Sequence, residues 1–129
     1  IINIINKNFK IKKIKNNSRN LKKGCLEMYM KNQWYSLKQI RNNNKLDVTM
    51  LHENIISKIK VNKIKFISGI NGSSFLKKLV NSKKFNIAFK LCPTNILSVM
   101  NIADKKKFMP PKSTWFHPKP LDGLICSEL

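Results

Sequence analysis

Leu21-Lys22-Lys23-Gly24-Cys25-Leu26-Glu27-Met28-Tyr29-Met30-Lys31-Asn32-Gln33-Trp34-Tyr35-Ser36-Leu37-Lys38-Gln39-Ile40 contains the densest apolar patterning of the N-terminal half. Leu26, Met30, Trp34 and Leu37 fall at steps of four, four and three, which gathers apolar side chains on one stripe of a helix. Ser18 is a candidate cap upstream, and Arg41-Asn42-Asn43-Asn44 breaks the pattern downstream. A helix is therefore expected from Leu21 to about Ile40. Gly24 weakens its first turn and moves the expected start toward Cys25. Trp34 would then belong to the core, with Tyr35 one step round toward solvent.

Upstream, Phe9 and Ile11 alternate with lysines as in a strand, while Ile14 falls out of that step; an extended arm and a short strand both fit. Downstream, Leu51, Ile55 and Ile59 with Val48 and Ile56 predict a helix from Leu46 to near Lys60. Asp47 and Glu53 lie toward its start and Lys58 and Lys60 toward its end, the favourable sense for the helix dipole. Lys63-Ile64-Lys65-Phe66-Ile67-Ser68-Gly69 alternates and predicts a strand. Asn71-Gly72 signals a turn, after which Ser73 or Ser74 caps a helix through Phe75, Leu76, Leu79 and Val80. Phe85–Leu91 predicts a second strand. Pro93-Thr94 opens a short helix from Asn95 to Ala103.

The expected fold class is α+β: a small single domain of three or four helices and two or three short strands. Residues 1–20 form a basic N-terminal arm, 21–107 an RNA-binding body, and 108–129 an extended Pro-rich C-terminal tail. The tail holds Pro110, Pro111, Pro118 and Pro120, each fixing its own φ and biasing the residue before it away from the helical region. Its Trp115 and Phe116 are expected to anchor on a partner or on the body.

The charge narrows the function. Of 129 residues, 26 are Lys or Arg and 6 are Asp or Glu, a formal net charge of +20. Lys, Asn and Ile fill 58 positions, as AT-biased codons would dictate, and Lys outnumbers Arg by 24 to 2. Codon bias does not remove Asp and Glu, so the shortage of acids is what calls for function. The net charge is +11 over residues 1–45, +9 over 46–107 and zero over 108–129. Polyanions are the expected partners of the first two segments.

Phosphate contact is assigned to Lys10, Lys12, Lys13, Lys15, Arg19, Lys22 and Lys23, to Lys77, Lys78, Lys83 and Lys84, and to Lys105, Lys106 and Lys107. A charge run is ordinarily a solvated face, but here balancing acids are missing. Lysine offers a point charge without the guanidinium fork, which suits backbone rather than base-edge recognition.

Catalytic chemistry is poorly supplied. His52 and His117 are 65 residues apart, and neither shares a motif with a cysteine or carboxylate. Gly69-Ile70-Asn71-Gly72 lacks the Lys-Ser/Thr ending of a phosphate loop. No enzyme activity, cofactor or small-molecule substrate is expected. Cys25, Cys92 and Cys126 are expected to be free thiols, with an inter-chain metal site as the alternative. No apolar run approaches a membrane span.

These features lead to one expected role: a structural constituent of a ribosome, mitochondrial or other organellar, with a cytoplasmic or plastid ribosome as alternatives. Its partners would be rRNA and neighbouring ribosomal proteins. A chain opening at Ile1 rather than Met suits a removed presequence. One competitor is a free-standing nucleic-acid-binding module, although no zinc finger, RNP aromatic pair, Gly-x-x-Gly clamp or basic zipper is present. The other is a basic accessory subunit of a membrane-associated organellar complex.

Overall fold

The computed structural model describes residues 1–41, 45–106 and 108–109. It is an α+β domain built on a four-stranded antiparallel sheet: α1 (Ile2–Asn6), β1 (Phe9–Ile14), β2 (Cys25–Met30), β3 (Gln33–Gln39), α2 (Asp47–Asn54), α3 (Gly72–Asn81), β4 (Ile87–Lys90) and α4 (Ile96–Asp104). Short 3₁₀ turns follow α2 and precede α3. The strand order is β1-β3-β2-β4.

Residues 21–40 form a hairpin, not the expected helix. Leu26 pairs with Leu37, Met28 with Tyr35 and Met30 with Gln33. The two residues between the strands, Lys31 and Asn32, have φ of 49° and 60°. Two successive positive φ values define the type I′ turn, whose twist matches that of paired strands. Alternation then replaces the helical stripe: Leu26, Met28 and Leu37 face one side of the sheet, while Tyr29 and Trp34 face the other.

Each face has its own core. On the first, Phe9, Leu26, Met28 and Leu37 pack with Ile5 of α1 and with Leu51 and Ile55 from α2 and its C-terminal end. On the second, Tyr29 and Trp34 pack with Val80 and Leu76 of α3. The Tyr29 and Trp34 rings lie 4.9 Å apart, tilted by 49°. Each fully buried Leu or Met contributes about 1.5–3 kcal/mol of transfer free energy, so the first face carries most of the stabilisation.

The question left open for residues 9–14 is resolved in favour of a strand: β1 pairs with β3 from Phe9–Gln39 to Ile14–Trp34. Much of the basic segment before residue 20 is therefore built into the sheet. Both β1 and β2 run antiparallel to β3, so they are parallel to each other with β3 between them. Residues 15–24 must cross the second face to join them. Gly24 ends that crossing at φ 79°, a conformation a side chain would strain.

The other elements lie close to expectation. Asp47–Asn54 and the following turn occupy the expected 46–60 helix, and β4 falls within its predicted span; α3 covers the predicted helix but begins at Gly72, ahead of the expected Ser73 or Ser74 cap. In α4 the Asn95 side chain caps the first turn by accepting the Ser98 N–H at 2.8 Å, so the helix opens on Asn95, and Pro93, expected in its first turn, lies ahead of it. The strand predicted at 63–69 is absent: residues 63–68 are neither helix, turn nor strand. Trp115 and Phe116, the rest of the tail from Pro110, Cys126 and Lys107 lie outside the described residues. No described helix is long and apolar enough to cross a membrane.

Candidate nucleic-acid interface

Strand alternation sorts the first lysine run. Lys10 and Lys12 project on the second face of the sheet and Lys13 on the first, where it stands opposite Tyr35. Lys10 lies directly opposite Lys38 of β3, and Lys12 opposite Ser36. All three lysines are exposed. Directly opposed like charges in a sheet repel, so this pairing costs stability in the free protein. Lys38 was missed by the sequence reading, because a helix placed it with its own turn rather than across from Lys10.

The crossing segment brings the second group to the same side. Lys15, Arg19, Lys22 and Lys23 are exposed along it. Glu27 fixes its path. This carboxylate is fully buried on the second face, where Oε1 accepts the Ser18 N–H at 2.6 Å. The Lys90 ammonium lies 3.8 Å from Oε2 and donates to the Ser18 carbonyl. The Asn17 amide donates to Ser73 Oγ at 2.9 Å, tying the segment to the start of α3. Cys92 Sγ donates to the Leu21 carbonyl at 3.1 Å.

Asp47, at the start of α2, anchors the end of the crossing by accepting the Gly24 N–H at 3.0 Å. Burial raises its pKa, partly offset by that hydrogen bond, by the Lys23 charge and by the Cys92 backbone. Burial also pushes the Cys92 thiol up, assisted by Asp47 and Cys25, which keeps it protonated and poorly nucleophilic. The acids of this region are thus engaged within the fold, and the exposed charge above them is positive.

The remaining predicted lysines divide. Lys77 and Lys78 sit on α3, on the side of the sheet that carries the crossing segment; Lys77 is half-buried with Nζ 6.0 Å from the centre of the Tyr29 ring, and Lys78 is exposed. Lys83 and Lys84 occupy the turn after α3, and Lys83 shares a small cavity of about 280 Å³ with Lys31 of the hairpin turn. Lys105 and Lys106 follow α4, away from the sheet lysines in the chain. Sequence reasoning also missed Lys90, which stands across from Glu27 and is held by it.

Trp34 is buried, as expected, and Tyr35 is half-buried. His52 is exposed. Among the described residues no three His, Cys, Asp or Glu side chains come together to hold a metal ion, and Cys25 and Cys92 are free. The arrangement suits neutralisation of a phosphate chain by lysine amines set on a sheet face and the strap across it. No family model matches this chain, and neither a curated protein nor a solved structure does so.

Proposed function

We propose that this protein is a structural constituent of a ribosome, mitochondrial or other organellar, and that it binds rRNA through phosphate contacts. The observation that carries the proposal is the pairing of Lys10 with Lys38, flanked by Lys12, all three exposed on the second face of the sheet. Like charges held opposite each other reduce stability unless an anion sits between them. Lys15, Arg19, Lys22 and Lys23 extend the same surface, and Lys77 and Lys78 lie on the same side. Glu27 and Asp47 hold the strap beneath these charges without neutralising them at the surface.

Composition supports the same role. A net charge of +20 on 129 residues gives strong, sequence-tolerant attraction to a polynucleotide, and lysine rather than arginine favours backbone over base edges. The role is scaffolding rather than catalysis, with neighbouring ribosomal proteins as further partners.

The salt dependence of binding to an rRNA fragment tests this. Replacing Lys10, Lys12 and Lys38 together by Gln should reduce the slope of log K against log salt by about two to three. An unchanged slope in a folded variant would remove this face from the interface.

A further inference from the structure

The two edges of the sheet are built differently. β1 carries Lys10, Lys12 and Lys13 and is blunted against pairing with a further strand. β4 reads Ile87-Ala88-Phe89-Lys90, and its one charge is held by Glu27 and the Ser18 carbonyl. The direction of its free peptide groups follows from the ladder. Gln39 N–H donates to the Gly24 carbonyl at 3.0 Å, so even-numbered residues of β2 turn their peptide groups to β3 and odd-numbered ones to β4. Glu27 and Tyr29 therefore exchange bonds with Lys90 and Ala88, and Ile87 and Phe89 direct their N–H and C=O groups away from the sheet.

All of β4 lines an open cleft of about 1840 Å³. Residues 61 and 63–70 line it too. From Lys63 to Ser68 the chain has no helix, turn or bend, and among the described residues no backbone–backbone hydrogen bond engages residues 60–67. The alternation that predicted a strand here is real, with Lys63 and Lys65 set against Ile64 and Phe66, which are 50% and 49% exposed. This segment has the pattern of a strand and no strand beside it.

We propose that the cleft takes an extended segment of a neighbouring protein, added as a further strand along the free edge of β4 and carrying alternating apolar and acidic side chains. Main-chain hydrogen bonds to Ile87 and Phe89 would supply affinity, and side-chain alternation specificity. The apolar half of the pattern answers Ile64, Phe66 and Phe89. The acidic half follows from charge: Arg19, Lys23, Lys63 and Lys65 line the cleft, while Asp47 and Glu53 are engaged by the Gly24 N–H and by Lys45. A polynucleotide would set phosphates against apolar walls. A second copy of this chain pairing through residues 60–66 would bring lysine against lysine. The cleft shares Arg19 and Lys23 with the proposed RNA surface, whereas the free edge of β4, Lys63 and Lys65 lie outside that surface.

Backbone hydrogen exchange of the full chain at neutral pH tests it, with three probes: a peptide of alternating Val and Glu, one of alternating Val and Lys, and poly(U). The Val/Glu peptide should slow exchange at Ile87 and Phe89 and bind about tenfold more tightly than the Val/Lys peptide, the effect of facing opposite rather than like charges. Exchanging the exposed Lys63 and Lys65 for Glu (Lys63→Glu, Lys65→Glu) should reverse that preference. Equal binding of the two peptides, or a preference the double substitution leaves unmoved, would overturn the proposal. So would protection of these amides by poly(U), by self-association of the chain, or by residues 110–129 in the free protein, the last revealed by its loss when they are deleted.

Discussion

Lys10 and Lys38 stand directly opposite each other on neighbouring antiparallel strands, both exposed, with Cys25 completing their row and no acid in it. An arrangement that weakens the free protein and strengthens its hold on a polyanion predicts a trade between stability and binding. Lys38→Glu should raise Tm by a few degrees by turning repulsion into attraction across the strands, and should weaken RNA binding. Thermal melts and RNA titrations on the same variant check this; a lower Tm with unchanged affinity would contradict both halves.

Glu27 is the second test. Removing it leaves the Ser18 N–H without its acceptor and the partly buried Lys90 ammonium without its counter-charge. Glu27→Ala should cost about 2–3 kcal/mol, less than a fully buried pair because Lys90 keeps some contact with water. Adding Lys90→Met should recover part of that loss. Urea unfolding gives the stabilities. If the double variant is no better than the single one, the pair is not coupled as described.

The hairpin turn offers a gain. Lys31 and Asn32 both adopt positive φ, which Asn and Gly tolerate better. Lys31→Asn with Asn32→Gly should stabilise the protein by about 1 kcal/mol, measured as a shift of the urea midpoint at constant m. Destabilisation would mean that the turn is not type I′.

Asp47 sets a pH dependence. Its pKa is raised in the folded state, so the protein binds this proton more tightly when folded. The resulting stabilisation is full below the unfolded pKa and is lost as pH rises through the folded one. Asp47→Asn keeps an acceptor for the Gly24 N–H and has no charge to desolvate. Its stability relative to the parent should therefore increase as pH rises from about 4 to 7. Unfolding curves across that range decide it, and a variant that loses ground toward neutral pH would show that the carboxylate charge is needed.

Much of the fold was legible wherever one periodicity dominated, as in α2, α3 and β4. Residues 21–40 misled because two periods coincided. Leu26 and Met30 are four apart and also lie on one side of a strand, and the Lys31-Asn32 turn then set Trp34 at a helical interval although it faces the opposite side. Without an Asn-Gly or Asp-Gly pair the turn carried no familiar signal. Gly24 was the visible clue: it weakens a helix start and fits the left-handed end of a crossing segment. The strand pattern at 63–68 marked a real alternation, but pairing depends on a neighbour that sequence does not reveal. The lysines of the candidate interface were visible as runs. Their sorting was not, since β alternation separates Lys13 from Lys10 and Lys12, and only the hairpin brings Lys38 beside them.

The central claim is tested most directly by cross-linking the full chain to RNA in cells with ultraviolet light and sequencing the RNA attached. The account predicts rRNA as the dominant species, with adducts on peptides containing Lys10, Lys12 or Lys38. Recovery of no RNA above background, or of RNA without enrichment for rRNA, would contradict it.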